Sequence, residues 1–297
     1  KTEYCQVFMT LSAALRLTIF LFTALIWPNA WAADSQINWA VNTAPPFHIV
    51  DGDYKQQGLC DVLIDTVHRY LPELKKRREI LPQPRIGRAL ERSENLCFAC
   101  MIAKPQGEQG AYYSLPTHVY TPHQIITNDK TANLIKQRYP QPVPLADLLA
   151  DEQLQFGYPA GRRYGVLQPL IEGQDNRPGN RLVRSGDNGP LAILQMIASE
   201  RLDYTVDYSI ISRYHQLSSG QQLTLLPIAE NADQPVPGAI GCSNNAWGRG
   251  IVEQINGVMP QIHADAEFVQ SLQFWFETDD NRSYLRYNKQ QLAKLKR

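Results

Sequence analysis

Residues Ile37 to Pro72, INWAVNTAPPFHIVDGDYKQQGLCDVLIDTVHRYLP, decide the fold class of this 297-residue chain. Ile37 to Val41 is a short apolar strand, and Asn42-Thr43-Ala44-Pro45-Pro46 ends it with turn-forming residues. Past Gly58 the spacing changes. Leu59, Val62, Leu63, Val67 and Leu71 recur at helical spacing, and Pro72 closes the helix. The result is a strand, a long loop and an amphipathic helix.

The same alternation continues outward. A helix is expected over Arg85–Arg92, a strand over Leu96–Ala103, a turn at Ser114-Leu115-Pro116 and a strand over His123–Thr127. From Asn128 a polar, proline-containing stretch leads to a short helix, Leu145–Ala150. Strands follow at Leu154–Tyr158, Arg181–Arg184, Tyr204–Asp207 and Leu223–Pro227. Helices are expected from Gly161 to about Ile171 and over Pro190–Ser199. After a polar connection, Asn231–Pro237, the strand Val236–Cys242 and helices at Gly250–Met259 and Ala264–Phe276 read as a return to the first block. Strands alternating with helices imply an α/β protein with parallel sheets. The order implies two lobes joined by two crossing strands, residues 34–127 and 238–297 against residues 128–237, with a ligand cleft between them.

Upstream of that block, Arg16, the uncharged apolar run Leu17–Trp27, the break Pro28-Asn29 and Ala30-Trp31-Ala32 have the order of a cleaved secretory signal over residues 1–32. The run falls short of the roughly 20 apolar residues of a membrane span. Cleavage at Ala32 or Ala33 implies export to the periplasm and removes Cys5. Lys1 to Phe8 precede Met9, the natural start of such a signal. Lys and Arg total 29, as do Asp and Glu. That balance lacks the basic face of a nucleic-acid partner. The run Lys75-Lys76-Arg77-Arg78 reads as a solvated helix end.

Cys60, Cys97, Cys100 and Cys242 remain. In an oxidising compartment they imply structural disulfides. Cys97 and Cys100 lie three apart on an expected strand and so face opposite ways, which argues against a redox or zinc pair. No metal or cofactor is expected.

At this point the chain resembles the family 3 bacterial extracellular solute-binding proteins, of type II periplasmic binding fold, and within them an uncharacterised periplasmic branch. The resemblance rests on an ordered set of pieces. Ala44-Pro45-Pro46-Phe47 with Gly58-Leu59-Cys60-Asp61 resembles the family's opening strand, ligand loop and first helix. Lys104-Pro105 and Tyr113-Ser114-Leu115-Pro116 resemble its aromatic-Ser-x-Pro segment. Tyr158-Pro159-Ala160-Gly161 resembles the start of its second-lobe helix. Glu200-Arg201-Leu202-Asp203-Tyr204 resembles its small-Arg-apolar-Asp turn. Gly241-Cys242-Ser243 through Trp247-Gly248 resembles its return strand.

The resemblance implies a monomeric, non-enzymatic binding protein. It closes on a small polar, anionic or zwitterionic ligand and presents it to an ABC permease or a membrane sensor receptor. Amino-acid binders of the family carry an Arg where this chain has Gly107. Lys104 from one lobe and Arg163 from the other, with Arg162 behind it and Tyr164 alongside, are the replacements for that cation. Asp207 and Tyr208 stand where the family places an acid for a ligand amine. Phe47 stands where it packs an aromatic on the ligand. Asp187 and Asn188 are N-caps or ligand contacts. Cys97 is expected to pair with Cys242, both on first-lobe strands, and Cys60 with Cys100. Two other readings stand beside this one. One is a small-carboxylate dehydratase on the same fold, with His48 as its acid–base. The other is an orphan sensor module.

Overall fold

The computed structural model describes residues 36–92, 94–104, 110–173, 180–186, 188–276 and 283–295. The expected leader, Gly107 and Asp187 lie outside them.

The first block builds a sheet from β1 (Gln36–Val41), β2 (Lys75–Ile80), β3 (Cys97–Ile102), β4 (Tyr112–Tyr113) and β5 (His118–Tyr120), with α1 (Leu59–Tyr70) and α2 (Gln83–Glu91) between strands. The chain then enters a second sheet. This contains β6 (Gln124–Thr127), β7 (Phe156–Pro159), β8 (Arg181–Arg184), β9 (Tyr204–Asp207) and β10 (Thr224–Pro227). Its helices are α3 (Asp129–Arg138), α4 (Leu145–Ala150), α5 (Gln168–Glu172), α6 (Gly189–Ala198) and α7 (Ser209–Ser219). Strand β11 (Val236–Cys242) returns to the first sheet. It is followed by α8 (Ala246–Gly257), α9 (Met259–Ala264), α10 (Ala266–Phe276) and α11 (Tyr284–Leu295).

The strand orders are β2-β1-β3-β11-β4, with β5 also on β11, and β10-β6-β9-β7-β8. Residues 121–123 and 228–235 therefore connect the two sheets. Both sheets are mixed, where parallel sheets were expected. β1 runs parallel to β2 and β3, and β7 to β8 and β9. The strands next to the connections, β11, β6 and β10, run antiparallel to their neighbours, because one connection carries the chain out of the first sheet and the other brings it back. β6, expected in the first lobe, is hydrogen-bonded in the second sheet.

Two further readings change. The basic run 75–78 is not a helix end; it forms edge strand β2, paired along its length with β1. Buried Leu74 and Leu81 anchor its two ends. Lys76 and Arg78 reach over α1 to pair with Asp65, and the charges of this edge strand discourage pairing with another chain. No helix starts at Gly161. Gly161 and Gly165 have φ of +77° and +55°, which interrupt helical geometry, and regular helix begins only at Gln168.

One core joins the first lobe to the near face of the second. Trp39, Leu63, Ile64 and Trp275 lie in the same apolar cluster as Ile193, Ile197, Ile211 and Tyr214 of α6 and α7. A separate core fills the far face of the second sheet around Phe156, Leu148 and Tyr204. Among the described residues no helix is long and apolar enough to cross a membrane.

Candidate functional site

A cavity of about 1100 Å³ lies between the lobes. Its first-lobe wall is the loop after β1. That loop is folded back so that the carbonyls of Pro46 and Phe47 accept the N–H groups of Leu59 and Cys60, each at 2.9 Å. Two donors that a helix start leaves unpaired are thereby satisfied. Gly58 permits the approach, since a Cβ there would sit 2.5 Å from the Phe47 carbonyl. Asp61 completes the attachment, accepting Ile49 N–H and the His48 Nδ1 proton, both at 2.9 Å. His48 is fully buried by this arrangement. It serves the loop and does not line the cavity, so the dehydratase reading loses its proposed acid–base.

Below the loop the Sγ atoms of Cys60 and Cys100 lie at bonding distance, as do those of Cys97 and Cys242. Cys97 sits directly opposite Cys242 in the ladder. Cys100 has φ +58° at the irregularity between β3 and β11, which lets it turn to α1 instead.

The second-lobe wall is the turn after β7 and the start of α6. Gly161 is needed twice. Its φ is left-handed, and a Cβ would meet Pro84 of α2 at 3.3 Å. This turn sends adjacent arginines opposite ways. Arg163 is 75% exposed, with Glu172 3.7 Å away at the rim. Arg162 is drawn inward, only 16% exposed, and ion-pairs with buried Asp207. Its guanidinium carbon lies 5.2 Å from the Phe47 ring centre and 5.4 Å from that of Tyr208. Asp207 also accepts the Tyr208 N–H at 2.8 Å. Tyr208 in turn stacks on Tyr120 and on His123, with ring centres 4.6 and 4.0 Å apart. Burial pushes the Asp207 carboxyl up, and the Arg162 charge pulls it back. Burial, with Arg162 adding to it, pushes the His123 imidazole down to about 3, so it is neutral. Arg162 Nε, Tyr208 Oη, Tyr164 Oη and His123 Nε2 are buried without a hydrogen-bond partner.

Of the residues singled out from sequence, Phe47, Lys104, Arg162, Arg163 and Tyr208 line the cavity. Asp207 lies behind Arg162. Tyr164 is 1% exposed, packed in the second core near Tyr158 and His123. Asn188 stands at the N-cap position of α6 but makes no side-chain cap, because its backbone is left-handed at φ 52°. Its N–H instead reaches across to the Thr43 carbonyl at 3.2 Å. The lobes also touch outside the cavity lining, where Tyr54 of the loop and Trp275 of α10 meet Tyr214 of α7.

Sequence reasoning missed Arg88, Arg184 and Tyr120, all of which line the cavity. Arg184 ends a parallel strand, the place where open α/β sheets bind ligands, and that rule alone could have found it.

No protein-family model matches the chain, and no curated protein matches it in sequence. Solved structures do match. The ancestral amino acid-binding protein AncCDT-1, a precursor of cyclohexadienyl dehydratase, superposes with a TM-score of 0.61 at 15% identity, covering 82% of this chain and 96% of its own. The chain has the type II periplasmic binding protein fold. A putative L-cystine ABC transporter from Listeria monocytogenes gives the same score and identity over 82% and 97% of the two chains. A periplasmic binding protein of high arginine specificity from Salmonella typhimurium gives 0.60 at 13% identity over 82% and 99%. In a type II fold the described cavity is the interlobe cleft.

Proposed function

We propose that the protein is an exported solute-binding protein that captures a small anionic or zwitterionic ligand between its lobes. The observation that carries this reading is the charge of the cleft. Among the described lining residues Arg88, Lys104, Arg162, Arg163 and Arg184 face one carboxylate, Glu91. An anion enclosed there would be met by cations from both lobes, and enclosure without them would be costly. Arg184 and the start of α6, with Gly189 and Pro190 on the cavity surface, give the second lobe a positive end. Closure then follows from differential affinity for the closed form, which a membrane partner, an ABC permease or a sensor receptor, would read. We take the lobes to divide at residues 121–123 and 228–235, and the protein to act as a monomer in the periplasm after loss of residues 1–32.

Native mass spectrometry of protein recovered from the periplasm, with a thermal-shift screen, tests the reading. A ligand that binds only the native state raises the melting temperature with the logarithm of its concentration. Mono- and dicarboxylates, sugar acids and neutral amino acids are the expected positives. A screen in which only cationic amino acids stabilise the protein overturns the reading.

A further inference from the structure

Arg162 occupies a site that has the chemistry of a receptor for an organic cation. A buried carboxylate, Asp207, pairs with the guanidinium, and aromatic rings from both lobes, Phe47 and Tyr208, lie within cation–π range of it. Tyr120 and His123 back the Tyr208 ring. Nothing in this constellation requires the cation to belong to the chain. What delivers it is local, the left-handed Gly161 held against Pro84, which leaves Arg162 inside and Arg163 outside.

We propose that Arg162 is a built-in cation that fills a guanidinium box made by Asp207, Phe47 and Tyr208, and that it sets the cleft's selectivity by excluding organic cations while leaving a positive surface for anions. The ion pair spans a turn and a strand end of the second lobe, and the Phe47 ring ties it to the first. Arg162 therefore also bridges the lobes in the place an external cation would take. This deepens the solute-binding reading, on which it rests for the location of the ligand. The box itself is a separate, testable object.

The probe is ethylguanidinium at millimolar concentration, with sodium chloride at equal ionic strength as control. In Arg162→Ala the box loses its own cation, and ethylguanidinium is expected to raise the melting temperature saturably, by about 2–4 °C. The wild-type protein should show no such shift, and Arg162→Ala/Asp207→Asn should lose it. Equal, flat responses in wild type and Arg162→Ala overturn the proposal. Where Arg162→Ala does not fold alone, its refolding yield from urea with and without ethylguanidinium gives the same reading, and no gain overturns it equally. The wild-type screen with carboxylates is independent. Its failure would remove the anion reading and leave the box standing, whereas a flat Arg162→Ala would remove the box and leave solute binding intact.

Discussion

The two walls of the cleft hold a loop in place by different means. In the first lobe the means are disulfides and hydrogen bonds. All four cysteines after residue 35 lie there, and the ligand loop is further fastened to α1 by main-chain bonds and by Asp61. In the second lobe, among the described residues, the Gly161 turn is held by a main-chain bond from Ala160 to the Arg184 carbonyl and by Pro84, and its inner arginine is fixed by charge, through the buried Arg162–Asp207 pair. A cross-link restricts the unfolded chain and is indifferent to ligand charge. A buried ion pair is conditional on both partners, so the second wall is the one that a ligand's charge can disturb.

The largest expected effect is on the first wall. The Cys97–Cys242 link spans 145 residues and the Cys60–Cys100 link 40. In the chain-entropy account, replacing the first pair with alanines costs about 4–5 kcal/mol and the second about 3–4. Urea unfolding of each double variant measures this. Unchanged midpoints would mean that packing alone holds the first wall, and the contrast would collapse.

The second wall should break almost as severely, but only when one partner is removed. Arg162→Ala leaves Asp207 buried and unpaired, at an expected cost of about 3–5 kcal/mol. Arg162→Met/Asp207→Leu removes both charges and should lie within about 1 kcal/mol of wild type, since an apolar replacement of a buried pair is often neutral. A double variant as unstable as the single would show that the turn, not the charge, is what matters.

These two walls were unequally legible in the sequence. The strands Arg181–Arg184, Tyr204–Asp207 and Val236–Cys242 have the bounds expected from sequence, because short stretches with β-branched or aromatic residues between turn residues mark strands. Both cysteine pairings were expected as found. Helix α11 was not foreseen. Its buried side are Tyr284 and Asn288, and it is held by Tyr284 Oη donating to the Val119 carbonyl and Asn288 Oδ1 accepting the Val119 N–H. Tyr284, Tyr287, Leu292 and Leu295 do recur at helical spacing and could have marked the helix, though not the hydrogen bonds that hold it. The direction of the Gly161 turn was hidden. Positive φ at Gly161 goes with its packing against Pro84, and that at Gly165 with open space around it, whereas the sequence offers only two glycines in a plausible helix.

An effect graded with pH, absent at neutral pH, touches both lobes. Burial pushes the His118 and His123 imidazoles down to about 3, with His263 and Arg162 respectively acting in the same direction. His118 lies among Tyr120, Phe268 and Phe276, with Thr117 Oγ1 2.9 Å from its Nδ1. In the unfolded chain each would titrate near pH 6.5. The native state therefore holds fewer protons between those values. Their contribution is complete above about pH 6.5 and is lost as pH falls toward 3, at about 1.4 kcal/mol per pH unit for each ring. Urea unfolding at pH 7, 6 and 5 should show the decline, and His123→Phe should make its slope shallower. A flat profile, or one unchanged in the variant, would mean that the rings protonate without unfolding the chain.

The smallest effect sharpens the comparison most, because it sets neighbouring residues against each other. Arg163 carried the same sequence signal as Arg162 and was placed ahead of it. It is 75% exposed at the rim, with Glu172 at 3.7 Å. An ion pair so open to water contributes little, so Arg163→Ala should change stability by less than about 0.5 kcal/mol. Its charge still faces the mouth of the cleft. The expected consequence is slower capture of an anionic ligand, with a weaker dependence on salt, while the release rate stays close to wild type. Stopped-flow binding at two ionic strengths separates the two rates. If Arg163→Ala instead speeds release markedly, Arg163 folds over the ligand on closure, and the division of labour between an inner, structural arginine and an outer, steering one would have to be reversed.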